Sequence, residues 1–186
     1  MQEKESTVPQ PQASSERRGP YGRALMAVTT WFAYIGGLVF IALVVMSVVS
    51  IVGRKLFSAP VPGDVEVLQM ASAFASATFF AYCHMTRGDV KVDFFTAWWS
   101  DSTLHQLDAV GSLLVGLFGS LMTWRSGAGV ISLYQSGETS MVLGWPVWVA
   151  QALMLPGFLL LGLAGFYMTG WHWRTSRRVR KNGVLA

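Results

Sequence analysis

The sequence predicts an all-α integral membrane protein: four transmembrane helices, with an interfacial amphipathic segment between helices 2 and 3. Three observations carry that prediction. Met26 to Val52 is a run of 27 residues without one charged side chain, and further apolar runs follow it. At about 1.5 Å of rise per residue, such a run crosses a hydrocarbon core roughly 30 Å thick. Only 13% of the 186 residues are charged and 52% are hydrophobic, against about a quarter charged in a soluble domain. Finally, Lys and Arg collect towards the two ends of the chain, where membrane flanks belong.

Met1 to about Pro20 is polar, with Pro9, Pro11, Gln10, Gln12, Ser14 and Ser15. It cannot bury enough apolar surface to fold alone, and residues 1–22 are expected to form a disordered tail. Residues 23–172 form the membrane domain and 173–186 a basic tail. Helix 1 runs from about Arg23 to Gly53 and is longer than a cleavable signal's apolar region, so it reads as a retained signal anchor. Arg54 and Lys55 end it. Pro60 and Pro62 then deny backbone donors and favour extended chain in the turn up to Gly63.

Helix 2 is expected from Asp64 to Thr86, with Asp64 and Glu66 in the first turn, where the helix dipole favours negative charge. Val90 to Asp108 mixes Phe94, Phe95, Trp98 and Trp99 with Lys91, Asp93 and Asp101. That stretch is too charged to span and suits the membrane surface. Helix 3 covers about Leu107 to Leu133, where Ser112, Gly116 and Ser120 form a small-xxx-small ladder that lets helices approach closely. A loop from Tyr134 leads to Pro146, which opens helix 4 without losing a useful hydrogen bond. Helix 4 continues to about Gly170 with an expected kink at Pro156.

Four spans place both termini on one side. With the ends cytoplasmic, eleven Lys and Arg lie inside and only Arg54 and Lys55 outside, so the positive-inside rule selects cytoplasmic termini. The net charge of +4 forms no folded patch, which argues against nucleic acid as a partner. Cys83 is the single cysteine, which excludes an intramolecular disulfide and a cysteine metal cluster.

Arg125 is the one charge well within a span, and burying it in lipid is expensive. Glu66 and Glu138 are the acids available on the outer side, and a structural pair with one of them is the favoured expectation. Snorkelling to headgroups and a substrate-anion site are the alternatives. His84, His105 and His172 raise a second functional class, a haem-binding or structural membrane anchor of a redox complex, held through His84 and His105. All three histidines fall near the cytoplasmic boundary, where hydrogen-bonded histidines are the commoner case. Trp98, Trp99, Trp145, Trp148, Trp171 and Trp173 fall at predicted boundaries as an aromatic belt. No phosphate-binding loop, catalytic triad or carboxylate pair appears, so neither an enzyme nor a cofactor is expected.

The loops are more specific. Arg54 is followed by Val61-Pro62-Gly63-Asp64-Val65-Glu66; then comes Cys83-His84-Met85-Thr86-Arg87-Gly88-Asp89-Val90-Lys91-Val92-Asp93; then Arg125, Gly137-Glu138-Thr139-Ser140 and Pro146-Val147-Trp148. In order and spacing these blocks resemble the small membrane subunit of tripartite ATP-independent periplasmic (TRAP) transporters, the DctQ type, from roughly Ala24 to Gly170. Arg54, Glu66, Arg87, Asp93, Arg125, Glu138 and Pro146 match the family pattern and are the structural or subunit-interface candidates; Asp89 departs from it. The resemblance implies a multi-pass protein of the bacterial inner membrane, bound to a large permease subunit that carries the substrate and ion sites. A periplasmic substrate-binding protein would deliver an organic acid for ion-coupled symport, with the small subunit as scaffold.

Overall fold

A computed structural model describes residues 19–58, 61–86 and 101–182. Four helices account for nearly all of them: α1 (Pro20–Phe57), α2 (Asp64–Thr86), α3 (Asp101–Ser136) and α4 (Val147–Asn182). Among the described residues there is no strand, only an isolated bridge between Thr139 and Pro146.

α2 has the expected bounds, and the other three helices run further than the hydropathy pattern alone indicates. α1 begins at Pro20, whose fixed φ is pre-organised for a first helical position. It ends at Ser58 in the left-handed region, φ 51°, with the Ser58 amide donating to the Gly53 carbonyl. Part of the segment expected at the membrane surface, residues 101–108, is instead the opening of α3. No Gly or Pro interrupts the chain between Asp101 and Leu107, so nothing stops the helix from starting there. Residues 90–100 of that segment lie outside the described residues. α4 likewise continues through Arg174 to Asn182.

Among the described residues three helices are long and apolar enough to cross a membrane: α1, residues Gln106–Ser136 of α3 and Val147–Arg174 of α4. Four such spans were expected, and α2 is the one outside this set. Its 23 residues still measure about 34 Å, but Gln69, Ser72, Ser76, Thr78 and Tyr82 dilute its hydropathy.

The helices lie in a row, α1–α2–α4–α3. α4 packs against α3 on one side and α2 on the other, and α2 packs against α1. Both turns sit at the same end, because Glu66 at the start of α2 contacts the α3–α4 turn. At the opposite end Met85 of α2 packs with Ala164 and Met168 of α4, and with Leu25 and Met26 at the start of α1. α2 therefore runs the full depth of the row.

Small residues decide these contacts. On α1 the buried positions are Gly22, Thr29, Gly36, Leu43 and Ser50, one every seven residues. A seven-residue repeat keeps a single seam in contact with a left-handed neighbour. Gly36 meets α2 so closely that an added Cβ would strike the Thr78 side chain and the Ala75 carbonyl. Between α3 and α4 the backbones themselves touch. A Cβ on Gly119 would lie 2.5 Å from the Gly162 amide nitrogen, and one on Gly165 would collide with the backbone of Gly116. Gly157 does the same for α4 and α2, with a Cβ falling 2.7 Å from the Ala77 carbonyl oxygen. Pro156 stands immediately before it.

The ladder expected on helix 3 is thus in use, with one addition. Ser112 and Gly116 are buried, and Gly119 joins Ser120 in the next close approach, to Gly162. Gly165→Ala is expected to lower stability by about 1–3 kcal/mol, because the added methyl meets backbone that cannot rotate away. Gly37→Ala should be near neutral, since its Cβ would find only the Phe79 ring edge at 3.9 Å. Thermal unfolding of both variants in mild detergent measures the difference.

Candidate functional site: the polar cluster joining the two turns

The two acids that open α2 do different jobs. Asp64 looks back to α1: its Oδ2 accepts from the Ser50 hydroxyl, which ends the seven-residue seam, and lies 3.4 Å from Arg54 Nη2. Its Oδ1 accepts from the Val65 amide at 2.8 Å. Glu66 reaches across to the α3–α4 turn, where Oε1 accepts from the Val142 amide at 2.9 Å and Oε2 from the Leu143 amide at 3.2 Å. One helical turn thus ties all four helices together at one end.

Gly63 makes room for this. Its φ is +71°, and a Cβ there would lie 2.5 Å from Leu143 Cγ. Both the backbone conformation and the space demand glycine. The α3–α4 turn is also closed within itself. The Ser140 amide donates to the Trp145 carbonyl at 2.8 Å, the Gly144 amide to the Ser140 carbonyl at 3.1 Å, and the Val147 amide to the Glu138 carbonyl at 3.1 Å. The tip of this braced turn is apolar: Met141 is fully exposed, and Val142 and Trp145 are largely so.

Asp64 and Glu66 belong to the capping turn, ahead of the apolar stretch 67–86. Hydrogen bonding favours their ionised forms. The Val142 amide holds the Glu66 carboxyl below the ordinary glutamate range, with smaller help from Ser140, Leu143 and Met141. The Ser50 hydroxyl acts likewise on Asp64, supported by Val65 and Arg54.

The sequence candidates distribute as follows. Arg54 contacts Asp64, and Glu66 clasps the turn. Pro146 accepts at its carbonyl from the Val149 amide at 3.2 Å, ahead of α4. Glu138 is exposed and takes part through its backbone carbonyl. Arg87 and Asp93 lie outside the described residues. Arg125 departs from expectation: it stands exposed on α3 and forms no ion pair with Glu66, Glu138 or any other described residue. Glu66 instead accepts from the amides of Val142 and Leu143.

Sequence reasoning missed Asp64 as the partner of Ser50 and Arg54. The available signal was spacing: Ser50 and Arg54 lie one turn apart at the end of α1, facing a turn of a few residues that leads to an acid. At the opposite end His172 is almost fully buried, with Nδ1 3.7 Å from Asp108 Oδ2, which ties the start of α3 to the end of α4. His84 is buried on α2, and the side chain of His105 lies outside the described residues. Among the described residues, no group of three His, Cys, Asp or Glu side chains converges as a metal set. A groove of about 510 Å³ between α1, α2 and α4 is lined by apolar residues such as Val39, Met70, Phe74 and Leu153.

A row of helices, three of them among the described residues long and apolar enough to cross a membrane, tied at one end by carboxylates, is the architecture of a membrane protein. The family whose sequence model matches is that of tripartite ATP-independent periplasmic transporters, DctQ component, over residues 43–174. The match spans more than two thirds of the chain, and the chain belongs to that family. Comparison with curated proteins and with solved structures gives no match.

Glu66→Gln is expected to weaken the clasp, and Glu66→Ala to abolish it. The measurement is amide-exchange protection at Val142 and Leu143, corrected for intrinsic rates. A depressed carboxyl pKa contributes stability that is complete above the ordinary glutamate range and disappears as pH falls through the depressed value. Protection of the turn should therefore drop on acidification in the parent protein and be pH-independent in Glu66→Ala.

Proposed function

We propose that the chain is the small membrane subunit of a TRAP transporter, a fixed scaffold for the large permease subunit. The large subunit would carry out ion-coupled uptake of an organic acid delivered by a periplasmic substrate-binding protein. Membership of the DctQ family is the observation that carries this reading. The chemistry of the chain agrees with it: coupling an ion needs charged or polar groups inside the membrane, and the close-packed interfaces here are built from Gly, Ala and Thr.

In this reading all four helices span the inner membrane, with both termini cytoplasmic. α2 is included because it runs from the turn end of the row to the far end, parallel to three helices that are long and apolar enough to cross. Its lower hydropathy fits its place between α1 and α4, where fewer of its side chains need to meet lipid. The cation asymmetry orients the turns outwards, which puts the Asp64–Glu66 cluster and the apolar tip at Met141 on the periplasmic side. Residues 87–100, with Arg87 and Asp93, then belong to the cytoplasmic face.

The mechanical role follows from the packing. An elevator-type carrier translates one part against another that stays put. Backbone contacts at Gly119–Gly162 and Gly116–Gly165 leave no side-chain layer that could slide, so α3 and α4 behave as one slab. Glu66 and Asp64 extend that slab to α2 and α1.

The test is a mild-detergent pull-down of the tagged chain from its native membrane, with mass spectrometry of the proteins recovered. A stoichiometric many-span permease is expected. Recovery of the chain alone, as an oligomer of itself, would refute the scaffold reading.

A further inference from the structure

We infer that the outward face of α3 around Arg125 is the surface that seats the large subunit, and that Arg125 pairs there with an acidic side chain on one of that subunit's membrane helices. The inference rests on the subunit reading above and adds to it the face and the chemistry of the contact.

α3 stands at the edge of the row and packs closely only against α4. Its free face presents Leu114, Leu117, Leu121, Trp124, Arg125 and Ala128, all exposed. α1, at the other edge, exposes an equally long face, but that face carries no charge from Met26 to Val52. Lipid alone satisfies α1. It does not satisfy α3, because a guanidinium among leucines in hydrocarbon must find a counter-charge or water.

No such group comes from the described residues. Arg125 forms no ion pair among the described residues, and Asp108, the nearest acid before it on α3, lies about 25 Å back along the helix. Headgroups are distant as well. Arg125 lies four residues from the middle of the span Gln106–Ser136 and about 13 Å along the helix from exposed Tyr134, near the outer boundary. That is further than an extended arginine side chain reaches. A carboxylate supplied by a second membrane protein would meet the guanidinium where it stands, through paired, charge-assisted hydrogen bonds. The face also offers a seat: a groove of about 320 Å³ beside Trp124, between Ser120 and Thr123 of α3 and Gly162 and Phe166 of α4.

The experiment uses the whole transporter in its native membrane. A photo-crosslinking benzoylphenylalanine at Leu121, one turn from Arg125 in an otherwise unchanged chain, is expected to form an adduct with the large subunit. In parallel, Arg125→Leu and Arg125→Glu should reduce the large subunit recovered with the tagged chain about tenfold, while Arg125→Lys retains part of it. The membrane level and melting temperature of the small subunit should stay at the parent values. Suppose the parent chain recovers the permease, but the probe at Leu121 captures only lipid and Arg125→Leu recovers it undiminished. Arg125 then reaches a lipid phosphate, and the inference falls while the subunit reading stands. If the parent chain recovers no permease, both fall.

Discussion

Backbone contact along α4 is the constraint on which the rest of the structure depends. Apolar burial drives little between helices already dissolved in hydrocarbon, so association rests on how closely they can pack. Gly162 and Gly165 bring α4 against Gly119 and Gly116 of α3, while Gly157 brings it against Ala77 of α2. α4 thereby becomes the helix on which its neighbours are placed, and the order α1–α2–α4–α3 follows. Thr123 and Ser120 return their hydroxyls to the carbonyls of Gly119 and Gly116, so polar groups beside the contact are satisfied within their own helix.

Close packing places helix axes but does not fix how the ends are tied. That falls to two carboxylates in the first turn of α2. Asp64 closes the α1–α2 turn through Ser50 and Arg54, and Glu66 closes the α3–α4 turn through two amides. Hydrogen bonds to ionised acceptors are about twice as strong as neutral ones, which suits a junction with little apolar surface to bury. At the opposite end His172 approaches Asp108, and the methionines Met85 and Met168 pack together.

An open row differs from a closed bundle in what it leaves uncovered. In a bundle every helix hides its apolar stripe; here α1 and α3 each keep one side for whatever surrounds the chain. The two edges are chemically unlike: α1 is uncharged from Met26 to Val52, whereas α3 bears Arg125. In the proposed reading, that asymmetry lets the chain present one edge to lipid and the other to a partner.

The all-helical class was legible from the uncharged run Met26–Val52 and from Asp64 and Glu66 marking the start of α2, since hydropathy and helix-start chemistry are local properties. The family was legible from the loop blocks, because turn residues such as Gly63 and Pro146 are dictated by backbone conformation at single positions. The small-residue ladder on α3 was visible in the same way, although its partner was not. The seven-residue seam Gly22, Thr29, Gly36, Leu43 and Ser50 is equally present in the sequence, but its buried side emerges only once Gly36 lies against Thr78. Tertiary structure alone decided that Glu66 clasps two amides and leaves Arg125 without an ion pair among the described residues. Residues 76 positions apart meet through the packing of the helices around them, and no local pattern in charge or hydropathy encodes that meeting.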